Sequence, residues 1–289
     1  MLRSQLYSRF YLHIAVLLFG GTALFAKLIG LNALDITVYR TAIAGMAILA
    51  MLYFQKKQIK LNKPKDYLIA LFLGVAVGIH WVTYFAGMQM AGITIGMLAF
   101  FSYPVMTVFL EPLFNKSRPK AKDIISAAVV VLGIYLLVPS ANLGDDVTLG
   151  VITGVISALF FSIRNITHKR YFSQYGGPQT MFYQTLVASI MLCAFIEVPV
   201  YEVSNHDLIL IAVAGVIFTA TPHSLFAASL KHLSAATAGL ISCLQPLYGT
   251  ILAIVIIHER PTVMTLVGGA LIVSAACFET WSITKKARQ

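Results

Sequence analysis

Apolar runs of about twenty residues follow one another along almost the whole chain, and this pattern constrains the fold more than any other feature. A helix needs about 20 such residues to cross the hydrocarbon core of a bilayer. Only 11% of the 289 residues are charged, against about 25% in soluble domains. The sequence therefore predicts an all-α polytopic membrane protein with ten transmembrane helices and lipid as its surroundings. The runs lie near residues 11–30, 34–54, 67–87, 92–114, 121–139, 147–168, 178–200, 207–229, 233–257 and 261–283.

The basic residues collect in the short connections on one predicted side of the membrane. With the N-terminus inside, seventeen Lys and Arg residues fall in inner segments, and only Arg260 falls in an outer loop. Cytoplasmic loops carry such an excess, so both termini are predicted to be cytoplasmic. Because the positive charge sits between apolar runs, we do not expect nucleic acid as a partner despite the net charge of +10.

A weak internal repeat relates the two halves of the chain. A shift of 142 residues places Pro104 on Pro246 and Arg118 on Arg260. Each half then holds five helices, and because five is odd, the second half enters the membrane in the opposite sense. Inverted repeats of this kind commonly bind substrate near the bilayer midplane, at the repeat interface, and work by alternating access. The predicted halves are residues 1–142 and 143–289.

Two stretches place polar and aromatic side chains at mid-depth in the membrane, residues 78–104 and their repeat partner 220–246. His80 lies about fourteen residues into the third helix, where ionisable groups cost about 2.5–3.5 kcal/mol and need a reason. Pro222 is expected to kink the eighth helix and free a backbone carbonyl. We predict that the two stretches line a substrate path. The candidate substrate-binding residues are His80, Trp81, Tyr84, Tyr103, Arg40, His223, Gln245 and Tyr248.

Arg40 lies roughly two turns into the second predicted helix. A guanidinium group stays charged and can bind a carboxylate through two parallel hydrogen bonds, so Arg40 can hold an acidic substrate group. The structural alternatives are a bridge to Asp35 or to a helix terminus, or a side chain that snorkels to the outer surface. Lys27 and Arg164 lie closer to helix ends, and we interpret them mainly as snorkelling and as part of the positive-inside signal.

Two residues are candidates for coupling transport to protons. His80 can take up or release a proton near neutral pH. Glu111 lies toward the inner end of the fourth helix, and its alternative role is an interfacial ion pair with Lys116 or Lys120. A counter-substrate is the other coupling partner that the sequence leaves open.

Three features carry a resemblance to a known family. They are the Tyr39-Arg40 pair entering the second helix, a central proline in one helix of each half (Pro104 and Pro246), and the segment 246–275. In these features the chain resembles the drug/metabolite transporter superfamily, specifically its EamA-type ten-helix bacterial members. The resemblance implies a secondary transporter in the bacterial cytoplasmic (inner) membrane, with export as the direction. Amino acids or related metabolites are the substrates that it implies.

The sequence departs from the family pattern at one position. Glu259 matches the glutamate that typically ends the ninth helix in the family, but the repeat position in the first half is Ser117. The acidic helix end is therefore present only once, and the resemblance does not support a symmetric pair of glutamates.

No motif for catalysis is present in the sequence. A P-loop, HExxH and GxSxG are absent, so we expect no enzyme activity, metal or cofactor. Without an ATPase domain, transport must be coupled to a proton, an ion or a counter-substrate. The alternatives left open are a nucleotide-sugar or phosphorylated-metabolite antiporter of the same superfamily, a passive channel, and an intramembrane enzyme acting on lipids. The oligomeric state is not predicted.

Overall fold

The computed structural model describes residues 2–115, 121–138, 144–229 and 241–287, together with positions 233 and 238. Several predictions fall outside this part of the chain. They are the boundary between residues 142 and 143, the repeat pairing of Arg118 with Arg260, the repeat position Ser117, and the ion pair of Glu111 with Lys116 or Lys120.

Every regular element in the described ranges is a helix. Seven helical segments are long and apolar enough to cross a bilayer, and α7 and α12 are apolar but shorter. This confirms the prediction of an all-α polytopic membrane protein. The helices are α1 (Leu2–Thr22), α2 (Phe25–Leu28), α3 (Ala33–Phe54), α4 (Pro64–Ala91), α5 (Ile93–Phe100), α6 (Tyr103–Asn115), α7 (Ala121–Leu137), α8 (Asp146–Tyr171), α9 (Gly177–Cys193), α10 (Asn205–Gly215), α11 (Thr221–Ser229), α12 (Gln245–Ile256) and α13 (Val263–Ala287).

Helices are interrupted at equivalent positions of the repeat. A turn at residues 101–102 separates α5 from α6, and a turn at residues 243–244 precedes α12. In both cases a proline, Pro104 or Pro246, is the second residue of the helix that follows. A helix start tolerates proline because its missing N–H has no partner there. The sequence predicted a continuous helix with a central proline in each half, and the structure instead begins a new helix at each proline.

A π-helical segment, Val216–Ala220, lies between α10 and α11. Pro222 follows it and has no N–H to continue the helical hydrogen bonds. The hydroxyls of Thr219 and Thr221 donate to the carbonyls five residues earlier, at 2.8 and 2.9 Å. The carbonyl of Phe218, four residues before Pro222, accepts from the hydroxyl of Thr22 at 2.8 Å, so a side chain satisfies a backbone group that lipid could not. The local change in winding also brings Thr219 into contact with Arg40.

The two halves meet where α8 packs against α4 and α5, and glycines allow the close approach. A β-carbon on Gly87 of α4 would lie 2.9 Å from the carbonyl oxygen of Gly150 in α8. A β-carbon on Gly150 would lie 2.5 Å from the β-carbon of Ala91. Small residues let helix backbones approach each other in membranes, where dispersion and hydrogen bonds drive association. The backbones of the two halves are therefore in direct contact here.

One end of the helix bundle is called the outer face here, after the predicted orientation. It contains the turns around residues 29–32, 91–93 and 257–262. Glu259 fastens two of these turns, because its carboxylate accepts hydrogen bonds from the N–H and the hydroxyl of Thr94 at 3.1 and 2.8 Å. A carboxylate is favourable at a helix N-terminus. The glutamate that matches the family pattern therefore caps α5 at the outer face.

Candidate functional site

A cavity of about 450 Å³ lies between helices of the two halves. That volume falls in the range of small-molecule sites, about 300–1,000 Å³. The start of α12 and the π-helical segment both contribute to its wall, through Gln245 and Thr219. Nine of the other lining residues are aromatic. The aromatic side chains are Phe19, Trp81, Tyr84, Phe85, Phe100, Tyr103, Phe161, Phe218 and Phe226.

The described lining brings together most of the residues predicted from the sequence. His80, Trp81, Tyr84, Tyr103, Arg40, His223 and Gln245 all line the cavity. Tyr248 does not line it, because its side chain faces α1, where its hydroxyl lies 3.4 Å from Nδ1 of His13. Its inclusion as a cavity residue is therefore corrected. Substrate binding by the other seven stays a prediction.

His80 is held between aromatic rings and anchored to the other half. Its ring centroid lies 5.0 Å from that of Phe100 and 4.8 Å from that of Phe161. Its Nδ1 lies 2.8 Å from the hydroxyl oxygen of Ser157, and that hydroxyl is 3.0 Å from the backbone carbonyl of His80. Because a carbonyl can only accept, the assignment that satisfies both contacts has Ser157 donating to it and Nδ1–H donating to Ser157. The other nitrogen, Nε2, is then an acceptor without a partner among the described residues.

Arg40 is a buried cation that faces the cavity, with only 2% of its surface exposed. Its Nη1 donates to the hydroxyl of Thr219 at 3.1 Å. Its guanidinium carbon lies 5.0 Å from the ring centre of Trp81 and 4.7 Å from that of Phe85. Nε and Nη2 have no hydrogen-bond partner within the described ranges. These two nitrogens form one edge of the planar guanidinium, the arrangement that matches the two oxygens of a carboxylate.

The predicted alternative, an ion pair between Arg40 and Asp35, is wrong. The Asp35 carboxylate accepts hydrogen bonds from the backbone N–H groups of Glu197 and Val198, both at 3.0 Å. Five residues along a helix correspond to a rotation of about 140° around its axis. Asp35 therefore faces the turn after α9, whereas Arg40 faces the cavity.

Arg164 lines the same cavity, although the sequence interpretation assigned it to the positive-inside signal. Its Nε donates to the Gln184 side-chain oxygen at 2.7 Å, and its Nη1 donates to that of Asn165 at 2.9 Å. Its Nη2 lies 3.6 Å from the sulfur of Met181. All three partners are neutral, so the charge is not compensated. The sequence does contain an indication of this role. Arg164 lies five residues, or about 7.5 Å, before Lys169 along the helix, and therefore deeper in the membrane than the basic residues of the loop.

Two other predicted ionisable groups lie outside the described lining. The Lys27 ammonium donates to the backbone carbonyl of Gln89 at 2.7 Å, at the outer face. Glu111 forms an ion pair with Lys169 at 2.9 Å. The sequence predicted Lys116 or Lys120 as the partner in such a pair, and both lie outside the described residues. The Lys169 side chain is 73% exposed, and exposed pairs contribute little, about 0–1 kcal/mol. A coupling role for Glu111 stays a prediction.

Comparisons with known proteins agree with this architecture. The profile described as the EamA-like transporter family matches residues 7–138 and again residues 148–280, so the chain is a tandem repeat. The uncharacterized transporter YxxF of Bacillus subtilis is 25% identical, over 90% of this chain and 85% of its own length. The threonine/homoserine exporter RhtA of Escherichia coli K12 is also 25% identical, over 93% and 89%. A solved crystal structure with 17% identity covers 98% of this chain and 99% of its own, with a TM-score of 0.66.

Proposed function

The chain belongs to the EamA-like transporter family, and on this premise we propose that it exports small amino-acid-type metabolites by alternating access through the central cavity. The threonine/homoserine exporters among its relatives support amino acids as cargo. The basic loops support a bacterial cytoplasmic membrane with both termini inside. A secondary transporter needs a gated site between two halves, and the cavity has that location.

The observation that carries the proposal is the unpartnered edge of Arg40. Burying a cation with two unpaired hydrogen-bond donors costs free energy unless a ligand accepts from those donors. An amino acid supplies a carboxylate that accepts from Nε and Nη2 together. The same group lies beside Thr219 on the π-helical segment, which belongs to the other half. The cargo carboxylate would therefore bind where the two halves meet.

The ammonium group of the cargo requires an acceptor, and the cavity offers neutral ones. His80 presents Nε2 as an acceptor in the tautomer fixed by Ser157. The side-chain oxygen of Gln245 lies in the same lining. Aromatic faces add cation–π attraction, about 0.5–2 kcal/mol for each well-placed ring. We propose that these groups hold the amino end of the substrate.

Removing the polar atoms of this aromatic wall is expected to slow transport. We expect His80→Ala and Tyr84→Phe each to reduce the rate by about tenfold, the equivalent of one lost hydrogen bond. The hydroxyl of Tyr84 is buried and has no partner in the described structure, so its removal costs the fold little. Initial rates in proteoliposomes, normalised to the reconstituted protein, measure the effect. Unchanged rates in both variants would remove this wall from the substrate path.

Counterflow in proteoliposomes tests the proposed function. Liposomes loaded with unlabelled threonine or homoserine should transiently accumulate the labelled amino acid from outside. A passive channel cannot produce this overshoot, so its absence with rapid equilibration would favour the channel alternative. Failure of every amino acid tested, in protein that is folded by size-exclusion chromatography, would reject amino-acid transport.

Energy coupling can be tested in the same liposomes. If an imposed pH gradient drives uphill movement of the amino acid, the proton is the coupling ion. Loss of this pH-driven transport in His80→Ala or in Glu111→Gln would then identify the residue that carries the proton. Uphill movement driven only by a second solute would assign a counter-substrate. A nucleotide-sugar or phosphorylated-metabolite antiporter would be favoured if Arg40 and Lys27 both contacted the cargo. Because Lys27 donates to Gln89 at the outer face, that combination is not favoured.

A further inference from the structure

We infer that the preferred cargo carries two acidic groups, one bound by Arg40 and the other by Arg164. The class is the acidic amino acids and short dicarboxylic acids of similar length. This inference rests on the proposed function, because it names the substrate of the same cavity. It assigns Arg164 as the residue that selects acidic over neutral amino acids.

The first argument is the charge balance of the cavity. Two guanidinium groups contribute to its wall, and no aspartate or glutamate belongs to the described lining. The three histidines there, His80, His168 and His223, supply no negative charge in either protonation state. An uncompensated buried charge is strongly unfavourable, and two are more so. A zwitterionic amino acid leaves the net charge of the two guanidinium groups unchanged, an acidic amino acid, which carries one net negative charge, halves it, and a dicarboxylate without an ammonium group removes it.

The second argument is the depth of the two arginines. Arg40 is seven residues, about 10 Å, after the start of α3, which begins near the outer face. Arg164 is seven residues, about 10 Å, before the opposite end of α8. Because α3 and α8 have 22 and 26 residues, about 33 and 39 Å, both extend beyond a hydrocarbon core of about 30 Å, and the two α-carbons lie about 10–15 Å apart along the membrane normal, a gap that the long arginine side chains reduce. Two acid groups separated by a few carbons, with a hydrogen bond of about 2.8 Å at each end, cover that distance.

The third argument concerns the free donors of each guanidinium. Arg40 offers Nε and Nη2, for which the described part of the chain provides no partner. Arg164 is fixed by the amide oxygens of Gln184 and Asn165, and its Nη2 faces only the weakly accepting sulfur of Met181. A carboxylate is a far stronger acceptor than a thioether, so it can replace that contact. Arg164 is thus oriented by neutral groups while its charge remains available to the cargo.

One consequence follows for the energetics of export. An acidic amino acid carries a net negative charge, so its outward movement through an inside-negative membrane is favoured by the membrane potential. The membrane potential alone can therefore drive export of the acidic cargo, and no coupled proton is required. A neutral amino acid has no such driving force.

The test uses two pairs of nearly isosteric cargo molecules, glutamate with glutamine and aspartate with asparagine. We expect the wild-type protein to show a KM about tenfold lower for each acid than for its amide in counterflow. Arg164→Gln should bring the two KM values together, and Arg164→Lys, which keeps the charge, should preserve most of the difference. Arg9→Gln is the matched control, because Arg9 is exposed on α1 and is not part of the described cavity lining. It should leave the preference unchanged.

Each outcome decides the inference. If the wild-type protein handles glutamine as well as glutamate while threonine still shows counterflow, the inference is overturned and the proposed function stands. If no amino acid exchanges, the proposed function fails first. A lower KM for phosphoserine than for glutamate would assign the second subsite to a phosphate instead of a carboxylate. An inside-negative potential set by valinomycin should accelerate glutamate efflux but not glutamine efflux, and equal responses would also contradict the inference.

Discussion

Replacing Arg40 by glutamine is expected to reduce transport about 100-fold while leaving the amount of folded protein in the membrane unchanged. Hydrogen bonds to charged groups contribute about 1.5–3 kcal/mol each, and the edge formed by Nε and Nη2 supplies two of them. Their loss is worth about 3 kcal/mol, and every 1.4 kcal/mol is tenfold. Glutamine keeps a polar end but removes the charge and the bidentate edge. Initial counterflow rates at a low cargo concentration, normalised to reconstituted protein, provide the measurement.

The stability of the same variant separates a binding role from a structural one. Arg40 makes one hydrogen bond to a protein side chain and no ion pair within the described residues, so its removal takes away an uncompensated buried charge. The melting temperature of Arg40→Gln in detergent should therefore equal or exceed that of the wild type. Arg9→Gln is the control for the chemical change. Transport within threefold of the wild type would contradict the assignment, and loss of folded protein would make Arg40 a structural residue.

Adding a single methyl group at Gly150 is expected to destabilise the contact between the two halves. The β-carbon of Gly150→Ala would lie 2.5 Å from the β-carbon of Ala91 and 2.8 Å from the carbonyl oxygen of Gly87. Carbon atoms in ordinary contact are about 3.5–4.0 Å apart, so α8 and α4 must separate. Overpacking costs about 1–3 kcal/mol, and the upper end applies because the obstructing atoms belong to helix backbones and a β-carbon. We expect the melting temperature to fall by about 6–12 °C.

A second glycine provides the matched control for this change. Gly176 precedes α9 with a φ of −64°, and a β-carbon there meets nothing within 4 Å. Gly176→Ala meets no obstruction and loses only the N-cap preference for glycine over alanine, about 1 kcal/mol, so its melting temperature should fall by only about 2–4 °C. Helix propensity by itself favours alanine over glycine inside α8 by about 1 kcal/mol, so any loss at Gly150 reports packing. A Gly150→Ala protein as stable and active as the control would mean that the halves do not approach this closely.

The same variant should also slow transport, because α4 and α8 carry the anchor of His80. Separating these helices lengthens the contacts between His80 and Ser157, which are 2.8 and 3.0 Å in the structure. Transport normalised to folded protein is therefore expected to fall along with stability. Normal transport by the surviving folded protein would show that the anchor tolerates a shift of about 1 Å.

Some parts of the candidate site were accessible from the sequence because they are local properties. Depth along an apolar helix identified His80, and a polar ring in such a run needs a partner. The fixed offset of 142 residues pairs Pro104 with Pro246 in the sequence itself. The two stretches were therefore expected to face each other, and both do contribute side chains to one cavity.

Other parts of the site depend on rotation about a helix axis, which hydropathy does not report when a helix is apolar on all sides. Tyr248 and Gln245 are three residues apart in α12, yet only Gln245 is part of the described lining. In the sequence, Arg164 is indistinguishable from the other basic residues near an inner loop. In the structure, hydrogen bonds to Gln184 and Asn165 orient its side chain toward the cavity. The glycine contact at Gly150 is also invisible in one chain, because it depends on which helix lies opposite.

The sequence by itself determined that the chain lies in a membrane and that it consists of two related halves. Those properties follow from transfer free energies and loop charges, which add up residue by residue along the chain. Only the tertiary structure decided which polar groups meet and which charges stay unpaired. Asp35 is satisfied by backbone N–H groups, whereas Arg40, five residues later, keeps two donors free in the cavity. The difference arises because hydrogen bonding and charge compensation depend on partners that are distant in sequence.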